Sequence, residues 1–380
     1  MGRSPRPVLD HPIPPPPAVR RALFGWYRRA ARDLPWRRSP SPYAVWISET
    51  MLQQTQVDRV KGSFTRFMTL FPTVEALAAA DTDDVLRAWE GLGYYRRARQ
   101  LHAAARRVVT DHGGILPSDE RLLRCLPGIG RYTAGAILSI AHDRPAPIIE
   151  ANSRRVLARL VGHAAPVGGS AGDEPLWQVA ARLVPRRGAG TFNQALMDLG
   201  ATVCIPKRPS CGRCPLASLC VARTTGRTAG IPVMATRRTT VQRRETALVA
   251  CHRGRVLLRR RAAGEWWEGL WDFPRLPAAD LVESLSLGPA RTIARLCYTV
   301  THHRVALRVV SRAAARAGRS AGDRMWVVPN ELERFALTAP GRRIARLVAS
   351  RHRAGGIIHG RFSRPTLAGS RRPGGHRHEP

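Results

Sequence analysis

Between Ala18 and Cys220, apolar residues recur at spacings of three and four, the period of helices that each turn one face to a core. The spacing predicts helices over Val74–Ala80, Asp83–Glu90, Arg96–Thr110, Glu120–Cys125 and Thr133–Ala141. Asp81 to Asp84 offer N-cap side chains, while Gly91-Leu92-Gly93 and Gly113-Gly114 read as helix stops. Helices joined by such short connections suit a compact all-α domain. From Thr246 the period shortens. Thr246–Cys251, a turn at His252-Arg253-Gly254-Arg255 and Val256–Leu258 read as a β-hairpin. Val300–Val310 reads as a second strand region and Leu332–Ser350 as a helix, so the second part of the chain is expected to be α+β.

This pattern sets the expected domain boundaries. Residues 1–17, which include the run Pro14 to Pro17, read as an extended, disordered arm. An all-α domain follows over 18–222. Residues 223–243 lack any sustained period and read as a linker. The second domain is expected over 244–350, and 351–380, built of Arg, Gly, His and Pro, reads as a disordered basic tail. No internal repeat is evident.

Composition adds a partner. A hydrophobic fraction of 44% excludes a largely disordered chain, but 62 Lys+Arg against 27 Asp+Glu gives a formal charge of +35. Compositional bias explains the choice of Arg over Lys, not the shortage of acids. The balance points to a polyanion, nucleic acid first and an anionic membrane surface second. No apolar run is long enough for a membrane span, and the opening residues lack the apolar segment of a secretory signal. The expected location is the cytoplasm, in association with the chromosome. Seven cysteines in that compartment are not expected to form a disulfide framework. Cys204, Cys211, Cys214 and Cys220 follow the spacing C-x6-C-x2-C-x5-C, a tetrathiolate pattern that suits zinc or an iron–sulfur cluster equally well. Cys125, Cys251 and Cys297 read as small core residues.

Three segments carry candidate chemistry. Leu126-Pro127-Gly128-Ile129-Gly130 lies between two helical patterns. Gly128 and Gly130 would let backbone N–H groups approach a phosphate at the next helix N-terminus, as in a helix–hairpin–helix clamp. Such a clamp positions a duplex without reading its sequence. Glu49 stands among the apolar residues of Pro42–Val57, where desolvation would raise its pKa and keep it protonated. A protonated acid is what cleavage of a purine N-glycosidic bond requires; a paired surface Glu is the plainer reading. Glu150 enters a helix after Ile148-Ile149, where an acid can simply stabilise the helix dipole.

Taken together, the runs LPWR, PYAVWISETMLQQTQV, GLGYYRRARQLH, LPGIGRYTAGAILSI and FNQALMDLGATVC, with the four cysteines, closely resemble the adenine DNA glycosylase (MutY) family. The resemblance covers about half the chain, from Arg32 to Cys220. It implies a helix–hairpin–helix glycosylase domain holding a [4Fe–4S] cluster on Cys204, Cys211, Cys214 and Cys220. It also implies excision of adenine opposite 8-oxoguanine or guanine from duplex DNA, by a monomer that does not engage a membrane. Position by position, Glu49 matches the general acid, Tyr132 a tyrosine bordering the sugar, and Glu150 the second carboxylate. Asn152 matches the residue that orients Glu150. Arg32, Leu34, Trp36 and Gln194 match the lining of the pocket for the flipped base. Gln54 and Tyr94 match wedges that enter the base stack. The second carboxylate is usually Asp in the family; here it is Glu150. Tyr132 stands where glycosylase/lyases of the endonuclease III type carry a Schiff-base lysine, which speaks against strong lyase activity.

Gly264–Arg275 resembles the Nudix-like C-terminal domain of the same family, so the implied fold is multidomain: an all-α glycosylase domain plus a Nudix-like α+β domain. No cluster of glutamates between Gly264 and Ala290 could hold Mg²⁺, which disfavours pyrophosphate hydrolysis. Tyr298–His303 resembles the family's recognition hairpin, with Thr301 and His302 as contacts to 8-oxoguanine and Val300 in place of an aromatic ring. Rival readings are an endonuclease III-like pyrimidine glycosylase and a catalytically silent damage sensor. No protein partner, such as a sliding clamp, can be named from the residues.

Overall fold

The computed structural model describes residues 11–234, 239–277, 283–317 and 322–353. Most of the expected N-terminal arm and all of the expected tail after residue 353 lie outside the described residues; Arg351, His352 and Arg353, expected to open a disordered tail, instead end the last helix. The chain divides into two compact units between Thr239 and Thr240.

The first unit is helical. In chain order its helices are α1 (Pro16–Ala30), α2 (Pro35–Arg38), α3 (Pro42–Leu52), α4 (Val57–Leu70), α5 (Val74–Ala79), α6 (Thr82–Ala88) and α7 (Arg96–His112). They are followed by α8 (Glu120–Cys125), α9 (Arg131–Ala136), α10 (Ala151–Leu160), α11 (Ser170–Leu183), α12 (Ala189–Thr202) and α13 (Val221–Thr224). Prolines open α1, α2 and α3 in their first turn, where a missing N–H costs nothing. Pro16 and Pro17, expected to belong to the arm, therefore start α1. Ser41 caps α3 by accepting from the Ala44 N–H at 3.1 Å. Every residue from Tyr43 to Met51 is buried, Ser48, Glu49 and Thr50 included, so α3 sits inside the unit with all its faces covered. Around it pack α2, α4, α7 and α9. A second core joins Val19 and Leu23 of α1 to Val156 and Leu160 of α10, Leu176 of α11 and Phe192 and Leu196 of α12. The helix expected over Thr133–Ala141 is α9 followed by a π-helical turn, Ile137–Ala141.

The second unit is a mixed sheet with one long helix. Its strands are β1 (Val241–His252), β2 (Arg255–Arg260), β3 (Trp271–Asp272), β4 (Arg275–Leu276), β5 (Arg291–Val300), β6 (His303–Ala313) and β7 (Arg324–Val327), and its helix is α14 (Ala339–Arg353). The strand order is β3-β2-β1-β6-β5, with β4 paired to β1 and β7 to β2. Arg253 and Gly254 both take positive φ, the backbone a two-residue hairpin turn needs between β1 and β2. β1 runs parallel to β6 from Val241↔His303 to Cys251↔Ala313. One sheet face buries Val249, Leu307 and Val309 against Ile344 and Val348 of α14.

Three expectations need correction. The stretch read as linker is occupied at its ends by α13 and by the first residues of β1. Val300–Val310 is not one strand: it contains the turn Thr301-His302 between β5 and β6, and β5 itself extends back to Arg291. Of the three cysteines read as core, Cys251 is buried, but Cys125 and Cys297 are exposed.

Candidate active site

A cavity of about 570 Å³ opens between α2–α3 on one side and α10 and α12 on the other. It is lined by Glu49, Tyr132, Glu150 and Asn152, and by Arg32, Leu34, Trp36, Gln194 and Gln54. Nine residues far apart in sequence thus border one space. Tyr94 is not among them; it is 52% exposed on the turn before α7.

Glu49 sits near the C-terminal end of α3 and is 3% exposed. The Tyr132 hydroxyl, from the first turn of α9, donates to Glu49 Oε2. Burial pushes the Glu49 carboxyl up to about 7; the Tyr132 hydrogen bond pulls it down, the Glu150 charge adds to the rise, and Arg37 opposes it. Burial, with both carboxylates nearby, likewise raises the Tyr132 phenol well above its ordinary value, so it stays a donor.

Glu150 is the N-cap of α10. Its Oε2 accepts from the Asn152 N–H at 2.8 Å and its Oε1 from the Ser153 N–H at 2.7 Å, while Ser153 Oγ accepts from the Glu150 N–H at 2.9 Å. The longer side chain reaches two amides at once. Burial raises this carboxyl, and the two amides oppose the rise. Asn152 was expected to orient Glu150; it does so through its backbone, because its Oδ1 accepts from Arg155 Nη2 at 2.8 Å. Gly200 of α12 passes so close that a Cβ there would stand 2.7 Å from Asn152.

Three contributors were missed in the sequence: Asp198, Arg37 and Tyr27. Asp198 is fully buried and binds Arg32 Nε at 2.7 Å and Arg37 Nη1 and Nη2 at 2.8 and 2.9 Å. Tyr27 donates to Gln194 Oε1 at 2.8 Å, fixing the amide so that its NH₂ is available to a ligand. Asp198 follows Gln194 by one helical turn, the only hint the sequence held. Trp36 packs edge-on against Phe64 with centroids 5.6 Å apart.

Gln54 and Tyr94 share a conformation, with φ of 56° and 46°. Arg97 ties their two turns together. Its Nη1 donates to Thr50 O at 2.7 Å and Met51 O at 2.9 Å, and its Nη2 to Leu92 O at 2.9 Å and Gly93 O at 3.1 Å.

Gly128 and Gly130 form the α8–α9 connection. Gly128 has φ of 79°, and a Cβ there would approach Gln100 Cβ to 2.9 Å, so both conformation and space demand glycine. Gly130 is the N-cap of α9. In the second unit Thr301 has φ of 52° at the tip of the β5–β6 turn, its Oγ1 donating to Val300 O at 2.7 Å. The His302 and His303 rings lie 4.1 Å apart, and Trp266 lies 4.9 Å from His303.

Cys204, Cys211, Cys214 and Cys220 border one shared cavity. Among the described residues no group of three or more His, Cys, Asp or Glu side chains is arranged to hold a single metal ion. Arg159, 2% exposed, bounds the same cavity; it donates to Ile231 O at 2.7 Å, Ile205 O at 2.8 Å and Pro206 O at 2.7 Å, and Nη1 reaches Cys204 Sγ at 3.4 Å. Arg155 Nε donates to Cys204 O at 2.7 Å. α10 therefore carries Glu150 at its start and braces the cysteine loop along its length. Among the described residues, no helix is long and apolar enough to cross a membrane.

Residues 47–167 match the HhH-GPD superfamily of base excision DNA repair proteins, and residues 246–347 match the NUDIX domain. An adenine DNA glycosylase of Rattus norvegicus is 48% identical over 54% of this chain and 42% of its own length. One of Buchnera aphidicola is 35% identical over 67% of this chain and 73% of its own length. The solved structure of a thermostable thymine-DNA glycosylase is 29% identical over 55% of this chain and 97% of that chain, with a TM-score of 0.50. The chain thus spans about two-fifths of the rat protein and nearly three-quarters of the Buchnera one.

Proposed function

The chain belongs to the adenine DNA glycosylase family, and from that premise we propose that it hydrolyses the N-glycosidic bond of adenine mispaired with 8-oxoguanine or guanine in duplex DNA. The observation that carries this reading is Glu49: a carboxyl buried beside Tyr132, held near half-protonation at neutral pH, on a cavity that also presents a second carboxylate. The glycosidic bond is unreachable inside a stacked duplex, so adenine must first swing into the cavity. Arg32, Leu34, Trp36 and Gln194 would receive it. Glu49 then donates its proton to adenine N7, which turns a poor leaving group into a neutral one. As the bond breaks, positive charge develops on the sugar. Glu150, preset by two amides of α10, and the Tyr132 hydroxyl oxygen would stabilise that charge without reorganising. Glu49, now ionised, takes a proton from the water that attacks C1′. The residue that would supply an imine is absent: Tyr132 cannot form one, so the products are free adenine and an intact abasic strand.

The cysteine loop supports a structural [4Fe–4S] cluster on Cys204, Cys211, Cys214 and Cys220. The donor set fits, since four thiolates would give Arg159 the counter-charge that a buried guanidinium needs, and among the described residues no carboxylate supplies it. When bound, the cluster would hold the loop rigid; no step of the reaction passes through it. Gly128 and Gly130 would clamp the backbone, Gln54 and Tyr94 would enter the stack, and Thr301 and His302 would read the base opposite adenine.

The test is single-turnover adenine release from duplexes carrying A opposite 8-oxoguanine, G or T, with alkali added afterwards to cleave abasic sites. Release from the first two and not the third is expected, with no adduct trapped by borohydride. Binding without release from any duplex would leave a damage sensor instead.

A further inference from the structure

Among the described residues nothing covers one part of the C-terminal sheet, and its chemistry is one-sided. Side chains alternate between the faces of a strand. Ala247 and Val249 of β1 and Val305, Leu307 and Val309 of β6 are buried, the helix-side face joining the core packed on α14. The residues between them project the other way. Register places these in three cross-strand rows: Arg295–Arg308–Thr246, Cys297–Ala306–Arg244 and Thr299–Arg304–Gln242. Farther from the β5–β6 turn, the same face is covered, with Leu248, Ala250 and Val310 packed beside Leu285. The open rows are those nearest Thr301-His302.

None of these nine side chains is acidic. Arg244, Arg295, Arg304 and Arg308 are all exposed, and among the described residues none of their guanidinium groups has a hydrogen-bond or ion-pair partner. Arg295 and Arg308 stand directly opposite each other in the antiparallel pair, an arrangement that destabilises a sheet. Arg244, Arg295 and Arg308 also line a recess of about 430 Å³ against Leu276. Exposed cations held in rows with no acid among them make a surface complementary to an anion. From Arg304 to Arg308 the ladder extends roughly 13 Å along β6, so it matches a linear polyanion better than a compact anion, which would engage one row.

We propose that this face is a phosphate track for duplex DNA, running back from the hairpin tip and independent of base sequence. The assignment rests on the reading of the chain as a DNA glycosylase. The track holds the duplex on which the Thr301-His302 turn acts, and its arginines contribute charge neutralisation rather than recognition.

The full chain is titrated with an undamaged duplex across a salt series, as wild type, as the triple variant Arg244→Ser, Arg295→Ser, Arg308→Ser, and as the same triple changed to Lys. A control triple, Arg21→Ser, Arg28→Ser, Arg29→Ser, removes equal charge from exposed positions of α1. Each lost phosphate contact removes about 0.9 from the slope of log affinity against log salt, so the sheet triple is expected to lose between about two and three. The Lys triple keeps the slope, the control loses less than one, and the melting temperature of Arg308→Ser is equal to or above wild type. An unchanged slope in the sheet triple, or equal losses in the sheet and control triples, overturns the track. Adenine release by wild type is followed in parallel: its absence would sink the glycosylase reading, whereas an unchanged slope with release intact sinks only the track.

Discussion

Asp198 and Glu49 are carboxylates of one helical unit, equally withdrawn from water, and they are treated in opposite ways. Burial alone would raise Asp198, but hydrogen bonds and charge from Arg37 and Arg32 hold it below its ordinary value. Among the described residues Glu49 has a tyrosine as its one hydrogen-bond partner, and burial carries it up to about 7. The same desolvation thus yields a permanent anion that fixes two cations at the cavity wall and, beside it, a proton donor. What separates the roles is whether a guanidinium lies within hydrogen-bond reach. The first carboxylate holds the site together; the second stores a proton at a cost in stability.

Replacing each group sharpens this contrast, and the largest effect should come from Glu49→Gln. Loss of a general acid costs about 10²–10⁴-fold, so single-turnover adenine release should fall by about 10³. Stability should move the other way. A carboxyl raised from 4.5 to about 7 on folding contributes stability below pH 4.5 that is lost as pH rises through 7. At pH 8 the variant should therefore be more stable, by up to about 3 kcal/mol at 1.4 kcal/mol per pKa unit. Chemical denaturation at pH 5 and pH 8 measures both signs.

Asp198→Asn should do the reverse. It leaves Arg37 and Arg32 without their buried counter-charge, which costs about 3 kcal/mol or more. The wild-type carboxyl is lowered on folding, so its contribution is present above its unfolded pKa and lost as pH falls through the folded value. The deficit of the variant should hence shrink in acid. A deficit unchanged from neutral pH to strong acid would break the contrast with Glu49.

Tyr132→Phe comes next. Removing a hydrogen bond that lowers the Glu49 pKa should move the alkaline limit of activity to higher pH, with a loss of about tenfold in rate, one hydrogen bond's worth. Smallest is Asn152→Ala. Glu150 is oriented by the backbone amide of residue 152, which alanine keeps, so the rate should change by less than about threefold. The lost contact to Arg155 should cost about 1 kcal/mol of stability. A fall in rate as large as that of Glu49→Gln would return the orienting role to the side chain.

How far the sequence reached follows the same line. Glu49, Tyr132 and Glu150 could be named because each sits in a distinctive local run, and the cavity brings them together. Arg37 and Asp198 lie in runs just as distinctive, LPWR and FNQALMDLGATVC, but their role could not be named, nor that of Tyr27, because what defines each is a partner about 160 residues away, such as Arg37 for Asp198, and only the tertiary fold supplies it. For Asn152 the sequence identified the residue but not the atom: a side chain is visible in a sequence, the direction of an N–H is not. In the second unit, β5 was missed back to Arg291 although Leu296, Tyr298 and Val300 alternate with Arg295, Cys297 and Thr299, the period of a half-buried strand; what interrupts that period is the register shift between Thr292 and Ala294. The parallel pairing of β1 with β6 lay hidden too, since register between distant strands leaves no local trace.

The most direct test of the central claim, that Glu49 is the stored proton, is the pH profile of single-turnover adenine release from an A:8-oxoguanine duplex. Wild type should lose about tenfold in rate per pH unit above roughly pH 7, because only the protonated acid is competent. The residual rate of Glu49→Gln should show no such limb. A wild-type rate that stays level from neutral to strongly alkaline pH, or an alkaline limb that survives in Glu49→Gln, would contradict the account.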